Sequence, residues 1–114
     1  MKICLIGPGI MEIPPKGWGG VEVLIWNYKC ELERQGHEVL IVNTKNLDDA
    51  VKQANDWNPD FTHLQYDMYA DMLSRVNSPR AMTSHYPYVD YPEKRTEYMW
   101  IFETKDKEVA TIIP

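Results

Sequence analysis

A glycine-rich loop is the first part of the sequence that could do chemistry. Residues 13–22 read IPPKGWGGVE, so Gly17, Gly19 and Gly20 fall within four positions, just before a pattern of helical spacing. The loop follows residues 2–7, KICLIG, a short apolar run typical of a buried strand. A loop between a strand and a helix offers backbone N–H groups and the positive end of the helix dipole to an anion. The loop is therefore either a phosphate site or a structural loop whose glycines adopt special dihedral angles.

Two familiar nucleotide-binding patterns do not fit this loop. The dinucleotide fingerprint needs a third glycine and an acidic residue about 20 positions further on. Here Gly7-Pro8-Gly9 is followed by Ile-Met-Glu, and the second apolar run ends in Asn43-Thr44. The Walker pattern also fails, because no Gly-Lys-Ser or Gly-Lys-Thr occurs. The sequence therefore disfavours NAD and P-loop nucleotides.

Short apolar runs alternate with helical patterns along the chain. Strands are predicted at residues 2–7, 38–42, 61–66, 80–86 and 109–113, and helices at residues 20–35, 46–54, 69–76 and 93–105. The N-cap of the second helix is predicted to be Asn46 or Asp48. The alternation predicts an α/β fold: a doubly wound, mainly parallel Rossmann-like sheet of about five strands with helices on both faces. Ligands of such sheets bind beyond the carboxyl ends of the strands, where the glycine loop lies.

The first helix should present an apolar stripe to the sheet and end at a glycine. The predicted stripe consists of Val21, Leu24, Ile25, Tyr28 and Leu32. Gly36 supplies the C-terminal stop. Cys4 and Cys30, in the first strand and first helix, are expected to be reduced core thiols.

The composition is that of an ordinary soluble globular domain. Of 114 residues, 44% are apolar and 25% charged, and the formal net charge is −5. The acidic balance argues against nucleic acid as a partner. The apolar runs are far shorter than the roughly 20 residues of a spanning helix, and the N-terminus lacks a signal-type pattern. We therefore expect a single cytoplasmic domain over residues 1–114.

Four stretches occur in order along the chain: KICLIGP leading into GWGGVE, then QGHEVLIVNT, PDFTHLQYD and AMTSHYP. As a set they resemble the N-terminal half of a family 4 glycosyltransferase of the GT-B fold. The likeness covers residues 1 to about 87. It implies transfer of a sugar from a nucleotide-sugar donor to a carbohydrate or glycoconjugate acceptor, with retention at the anomeric carbon in most members.

The resemblance also implies roles for individual residues. The glycine pair Gly19 and Gly20 matches the loop that contacts the donor diphosphate, with Gly17 and Trp18 beside it. His85, in the Thr-x-His segment, is implied to line the cleft, help hold the transferred sugar and serve as the catalytic candidate. The leaving diphosphate would be stabilised by positive groups and helix ends. The donor is a substrate, and no metal or cofactor is expected, because the three histidines are too dispersed for a zinc site.

An aromatic and acidic loop directly follows His85. Tyr86, Tyr88 and Asp90 are candidates for the acceptor side, because aromatic faces stack on sugar rings and a carboxylate accepts hydroxyl hydrogen bonds. The alternative is a surface loop with ordinary tyrosines.

Other polar residues receive structural interpretations. Glu22 is expected to cap or stabilise the start of the first helix through the dipole, and Lys16 to be solvated, with a phosphate contact as the alternative for Lys16. His63 is expected to pack within its strand, with a position in the cleft as the alternative. His37 is expected to cap or solvate the turn after Gly36.

The second GT-B domain, which supplies most donor contacts, is missing from this sequence. The chain alone is therefore expected to be inactive and to need a C-terminal GT-B domain in cis or in trans. The alternatives are a non-catalytic interaction module, one half of a split transferase, or another nucleotide-binding α/β protein. Apolar surface left exposed at a sheet edge or cleft wall predicts self-association.

Overall fold

The computed structural model describes residues 1–17, 19–83, 85 and 112–113. Its elements in chain order are β1 (Lys2–Ile6), α1 (Gly20–Arg34), β2 (Glu38–Val42), α2 (Leu47–Trp57), β3 (Phe61–Leu64), a 3₁₀ helix (Asp67–Arg75), β4 (Arg80–Thr83) and β5 (Ile112–Ile113). The predicted helix at residues 93–105 lies outside the described residues, as does most of the predicted last strand.

The strands form a parallel sheet in the order β2-β1-β3-β4, and the two residues of β5 pair in parallel with β4. β1 is central, with Ile3 opposite Val39 of β2 on one side and Phe61 of β3 on the other. The prediction of an α/β fold with a parallel sheet is confirmed.

The core has two parts, because successive strand residues point to opposite faces of the sheet. Ile3 and Leu5 of β1 pack with Ile25 of α1 on one face. Cys4 and Ile6 lie on the other face, in a larger cluster with residues of α2 and the 3₁₀ helix. Every β1 side chain from Ile3 to Ile6 is therefore buried, which explains why this strand reads as an unbroken apolar run.

α1 buries a narrower stripe than its sequence pattern suggests. Ile25 is 1% exposed, but Leu24 is 54% exposed and Cys30 also faces solvent. The predictions of Leu24 as a core residue and of Cys30 as a core thiol are wrong, because the side of α1 that carries Ile25 packs on the sheet, while Leu24 and Cys30 lie on other sides of the helix. Cys4 is buried as predicted.

Some helix boundaries match the predicted ones, and others differ. Asn46 is the N-cap of α2, and its Oδ1 accepts a hydrogen bond from Asp49 N at 3.1 Å. α2 continues to Trp57 instead of stopping at Ala54, and it ends where Asn58 adopts a left-handed conformation with φ 56°. Gly36, with φ 94°, follows α1 as the predicted stop.

β3 and β4 are shorter than predicted, ending at Leu64 and Thr83. After β3 the chain turns at once into the 3₁₀ helix, where Tyr69 N donates to Tyr66 O at 3.2 Å. His85 therefore lies just beyond the end of β4 and not within it.

Met1 and Lys2 hold the end of the sheet at which the strands begin, which we call the amino edge. The Met1 amine lies 3.2 Å from His37 Nδ1. Lys2 N donates to Asp60 Oδ2 at 2.8 Å, and Lys2 Nζ donates to Trp57 O at 2.6 Å. The start of β1 is thus held at the edge opposite the glycine loop.

None of the helices within the described ranges has both the length and the apolar character that a membrane crossing requires.

Candidate functional site

The strand order reverses between β1 and β3, since the chain leaves β1 toward β2 and returns on the other side at β3. In open parallel sheets ligands bind outside the carboxyl ends of the strands at this point. Gly7 follows β1 and donates to Val42 O at 2.8 Å, and Gln65 follows β3 and donates to Ile6 O at 2.9 Å. We call this region the carboxyl-edge site. Its described residues are Gly7, Gly19, Gly20, Gln65 and His85.

Asn43, at the end of β2, shapes the loop that follows β1. Its Oδ1 accepts from Gly9 N at 2.8 Å, and its Nδ2 donates to Met11 O at 2.8 Å. Gly9 needs to be glycine, because its φ is +73° and an added Cβ would lie 2.3 Å from the Thr44 carbonyl carbon. In the dinucleotide fingerprint an acidic residue would stand near this position, whereas here the carboxamide of Asn43 holds the loop.

The three glycines of the predicted phosphate loop differ in their surroundings. None of them lies in the positive-φ region, so the interpretation that they serve special dihedral angles is wrong. A Cβ at Gly19 would lie 3.0 Å from Glu22 Oε1 and 3.3 Å from Pro15 Cβ. Around Gly17 and Gly20, in contrast, nothing in the described part of the chain lies within 4 Å of such a Cβ, apart from sequence neighbours and the adjoining backbone of α1. Close packing by the described residues therefore explains why position 19 is glycine, but it does not explain Gly17 or Gly20.

Two shallow cavities meet at this loop. One, of about 280 Å³, is lined by Gly17, Gly19, Gly20, Val23 and Leu24. The other, of about 310 Å³, is lined by Ile10, Met11, Glu12, Pro15, Lys16 and Gly17. The open sides of the glycines thus face space that a ligand can enter.

The first turn of α1 combines a positive helix end with a buried carboxylate. Val23 N donates to Gly19 O at 2.9 Å, so the N–H groups of the three residues before Val23 have no partner within the helix. Glu22 is 6% exposed and lies in this turn, where a carboxylate interacts favourably with the dipole. An incoming anion must therefore approach from the open side of Gly20, away from Glu22.

His85 is joined to the end of β3 by a side-chain hydrogen bond. Its Nε2 lies 3.1 Å from Gln65 Oε1, and Gln65 is 5% exposed while His85 is exposed. A buried carboxamide therefore contacts one ring nitrogen of an exposed residue.

His63 lies beside this pair but is used for packing. Its Nε2 is 2.7 Å from Thr83 Oγ1, its Nδ1 is 3.4 Å from Tyr28 Oη, and the Tyr28 ring meets it edge-on. Burial lowers the pKa of His63 to about 4, and the nearby His85 adds to this lowering. His63 is therefore a neutral side chain that ties β3, β4 and α1 together, as the packing interpretation predicted.

The structure brings some predicted site residues together and leaves others apart. Gly17, Gly19 and Gly20 share a cavity, and His85 meets Gln65. Within the described ranges, no hydrogen bond links His85 to Gly19 or Gly20. Trp18, Tyr86, Tyr88 and Asp90 lie outside the described residues.

Sequence reasoning missed Gln65 and Asn43. For Asn43 the available signal was its position directly after the strand predicted at residues 38–42. Gln65 had no such signal, because it falls inside the strand predicted at residues 61–66, and only the structure shows that β3 ends at Leu64. In the described part of the chain, no three His, Cys, Asp or Glu side chains are grouped as metal ligands.

Comparisons with protein-family models, with curated proteins and with solved structures found no match to this chain. The functional argument therefore rests on the geometry of the carboxyl-edge site and on the sequence motifs that lead to it.

Proposed function

We propose that the chain is the acceptor-side half of a glycosyltransferase of the GT-B fold, and that its carboxyl-edge site contacts a nucleotide-sugar donor. In this proposal the sheet is doubly wound and Rossmann-like, with a full fifth strand beside β4, and the protein works in the cytoplasm. The rest of the donor site comes from a C-terminal GT-B domain in cis or in trans. These 114 residues alone then bind donor weakly and do not transfer sugar.

The observation that carries the proposal is the open side of Gly20 at the N-terminus of α1. Within the described residues, a Cβ there would meet no atom of another part of the chain within 4 Å, and the residue lines a cavity of about 280 Å³. The N–H groups of the first helical turn and the helix dipole favour an anion at this position. A diphosphate that approaches Gly20 therefore meets donors, and none of the described side chains stands between it and Gly20.

His85 supports the sugar-binding part of the proposal. Its imidazole is exposed at the end of β4, and a buried carboxamide fixes it. A ring held in this way can exchange hydrogen bonds with a sugar hydroxyl at little entropic cost. We assign Gly20 to the diphosphate and His85 to the sugar.

A titration of the whole chain tests the proposal. Backbone amide NMR spectra are recorded with UDP-glucose, GDP-mannose, UDP and inorganic diphosphate in turn. We expect shifts at Gly19, Gly20 and Val21 with the nucleotide ligands. If none of these compounds perturbs the loop at millimolar concentration, the proposal is wrong.

A charge variant makes the test specific. Gly20→Glu places a carboxylate on the open side of the loop and should weaken binding about tenfold or more, which corresponds to about 1.4 kcal/mol. Asn27→Glu adds the same charge at an exposed position further along α1 and should leave binding nearly unchanged. Equal ligand affinity of the two variants would show that the ligand does not bind beside Gly20.

A second candidate, an interaction module or one half of a split transferase, is favoured by a different observation. Among the described residues, four large apolar side chains surround the glycine loop and are exposed: Ile10, Met11, Val23 and Leu24. Exposed apolar patches mark interaction surfaces. Co-purification with a second chain that restores sugar transfer would support the split enzyme, and a partner-free monomer would count against it.

A further inference from the structure

We propose that Gln65 is a positioning residue that fixes the tautomer of His85, so that His85 presents Nδ1 as a hydrogen-bond acceptor to a ligand. The ligand part rests on the proposed function. The hydrogen bond between the two side chains can be tested without it.

Gln65 is itself firmly held. It follows β3 at the point where the strand order reverses, and its backbone N donates to Ile6 O of the central strand at 2.9 Å. The residue is 5% exposed, so its side chain has little room for other rotamers. The carboxamide is therefore a fixed reference point at the edge of the sheet.

The chemistry of the contact selects one tautomer. Gln65 Oε1, 3.1 Å from His85 Nε2, is a carbonyl oxygen and can only accept. With the carboxamide in this orientation, we infer that His85 Nε2 carries the proton, and in the neutral ring Nδ1 keeps its lone pair. Because His85 is exposed, that lone pair can accept a hydrogen bond from a ligand hydroxyl.

The Thr83 hydroxyl does not compete with Gln65 for His85 Nε2. Thr83 lies two residues before His85, but its Oγ1 is 2.7 Å from His63 Nε2. His63 in turn is held between Thr83 and Tyr28. Among the described residues, His63 and His85 thus have different hydrogen-bond partners, and Gln65 is the partner of His85.

The first test is the tautomer of His85 in the whole chain. Long-range ¹H–¹⁵N spectra of the histidine-labelled protein near neutral pH report the protonated nitrogen of each ring, and His85→Asn assigns the signal. We expect His85 to hold the Nε2–H form more completely than a free imidazole does. In Gln65→Leu the population should fall to the free-imidazole value, while the His63 signals stay unchanged and report an intact fold. A free-imidazole population in the wild type, unaltered by Gln65→Leu, would overturn the proposal.

A pair of glutamate variants gives a second readout that does not depend on the leucine variant folding. Gln65→Glu keeps an oxygen acceptor opposite Nε2 and adds a negative charge, so His85 should keep the Nε2–H form and its ring ¹⁵N signals should shift. Gln53→Glu makes the same change on the exposed side of α2 and should leave the His85 signals as in the wild type. His85 signals that are identical in both variants would place Gln65 out of contact with His85.

Ligand titration separates this proposal from the proposed function. Gln65→Leu should weaken binding of UDP-glucose severalfold and leave UDP binding unchanged, because only the sugar reaches His85. If UDP-glucose does not bind the wild type, the proposed function fails, and the tautomer measurement still decides the role of Gln65. Equal loss of UDP and UDP-glucose binding would contradict a role confined to His85.

Discussion

At the scale of single residues, burial lowers the pKa of His63 on folding, and this makes the stability of the fold depend on pH. Its pKa falls from the ordinary 6.5 to about 4 through burial and the nearby His85. The folded state therefore binds the proton less readily than the unfolded state. The stability contribution is fully present above about pH 6.5 and is lost as the pH falls through 4.

His63→Gln should flatten this part of the stability curve. The amide can still reach Thr83 Oγ1 but does not titrate. Between pH 7 and 4 the wild type should lose up to about 3 kcal/mol more unfolding free energy than the variant. Urea unfolding at several pH values measures the difference, in which the carboxylate titrations common to both proteins cancel. Parallel curves would mean that His63 is not the titrating group.

The two cysteines should differ sharply in reactivity. Cys4 is 0% exposed, and burial raises the pKa of its thiol to about 12, while Cys30 is exposed on α1. The thiolate is the reactive form. Ellman's reagent should therefore modify one thiol quickly in the folded protein and two in denaturant. Cys30→Ser should abolish the fast reaction, and persistence of that reaction would show that Cys4 is accessible.

Single residues of the site were predictable from sequence only where a pattern marked them. His85 was marked by the Thr-x-His pattern, but the predicted strand at residues 80–86 included it, whereas β4 ends at Thr83. Asn43 and Gln65 could not be assigned, because their contacts join positions 34 and 20 residues apart. Such contacts depend on the packing of strands and not on local sequence.

At the scale of elements, the N-terminus of α1 contains a glycine that packing requires and one that it does not. The methyl group of Gly20→Ala would meet no other described part of the chain within 4 Å, so this variant should raise the unfolding free energy by about 0.5–1 kcal/mol, because alanine restricts the unfolded chain. Gly19→Ala should lower it by about 1 kcal/mol, because the new methyl lies 3.0 Å from the Glu22 carboxylate. Chemical denaturation of the two variants checks this, and stability changes of the same sign would contradict it.

Helix starts were easier to predict than helix ends and faces. Asn46 was foreseen as a possible cap because its side chain type and position suffice for that role. The end of α2 depends on the left-handed conformation of Asn58, which no local pattern announced. The exposure of Leu24 depends on which side of α1 packs on the sheet, and this is set only when helix and sheet assemble.

At the scale of the whole molecule, alternation of strands and helices was enough to predict a parallel α/β fold. It did not give the strand order β2-β1-β3-β4, because several orders satisfy the same right-handed crossovers. The position of the carboxyl-edge site between β1 and β3 follows from that order, so the structure was needed to locate it.

The exposed apolar residues around the glycine loop should make the chain associate. We expect dimers or larger species in sedimentation velocity as concentration rises, because Leu24 is 54% and Ile10 is 56% exposed. Leu24→Lys should shift the distribution toward monomer by removing apolar surface. Asn27→Lys adds the same charge change without removing apolar surface and should have a smaller effect. A wild-type monomer at all concentrations would contradict this expectation.

The fastening of Met1 and Lys2 at the amino edge of the sheet has a practical consequence for surface-based binding measurements. β1 runs from that edge to the carboxyl-edge site, so the two ends of the strand face opposite sides of the molecule. A biosensor chip that captures the protein through its N-terminus would orient every copy with the glycine loop toward the flowing solution. Capture through Cys30 would instead place the sensor surface against α1.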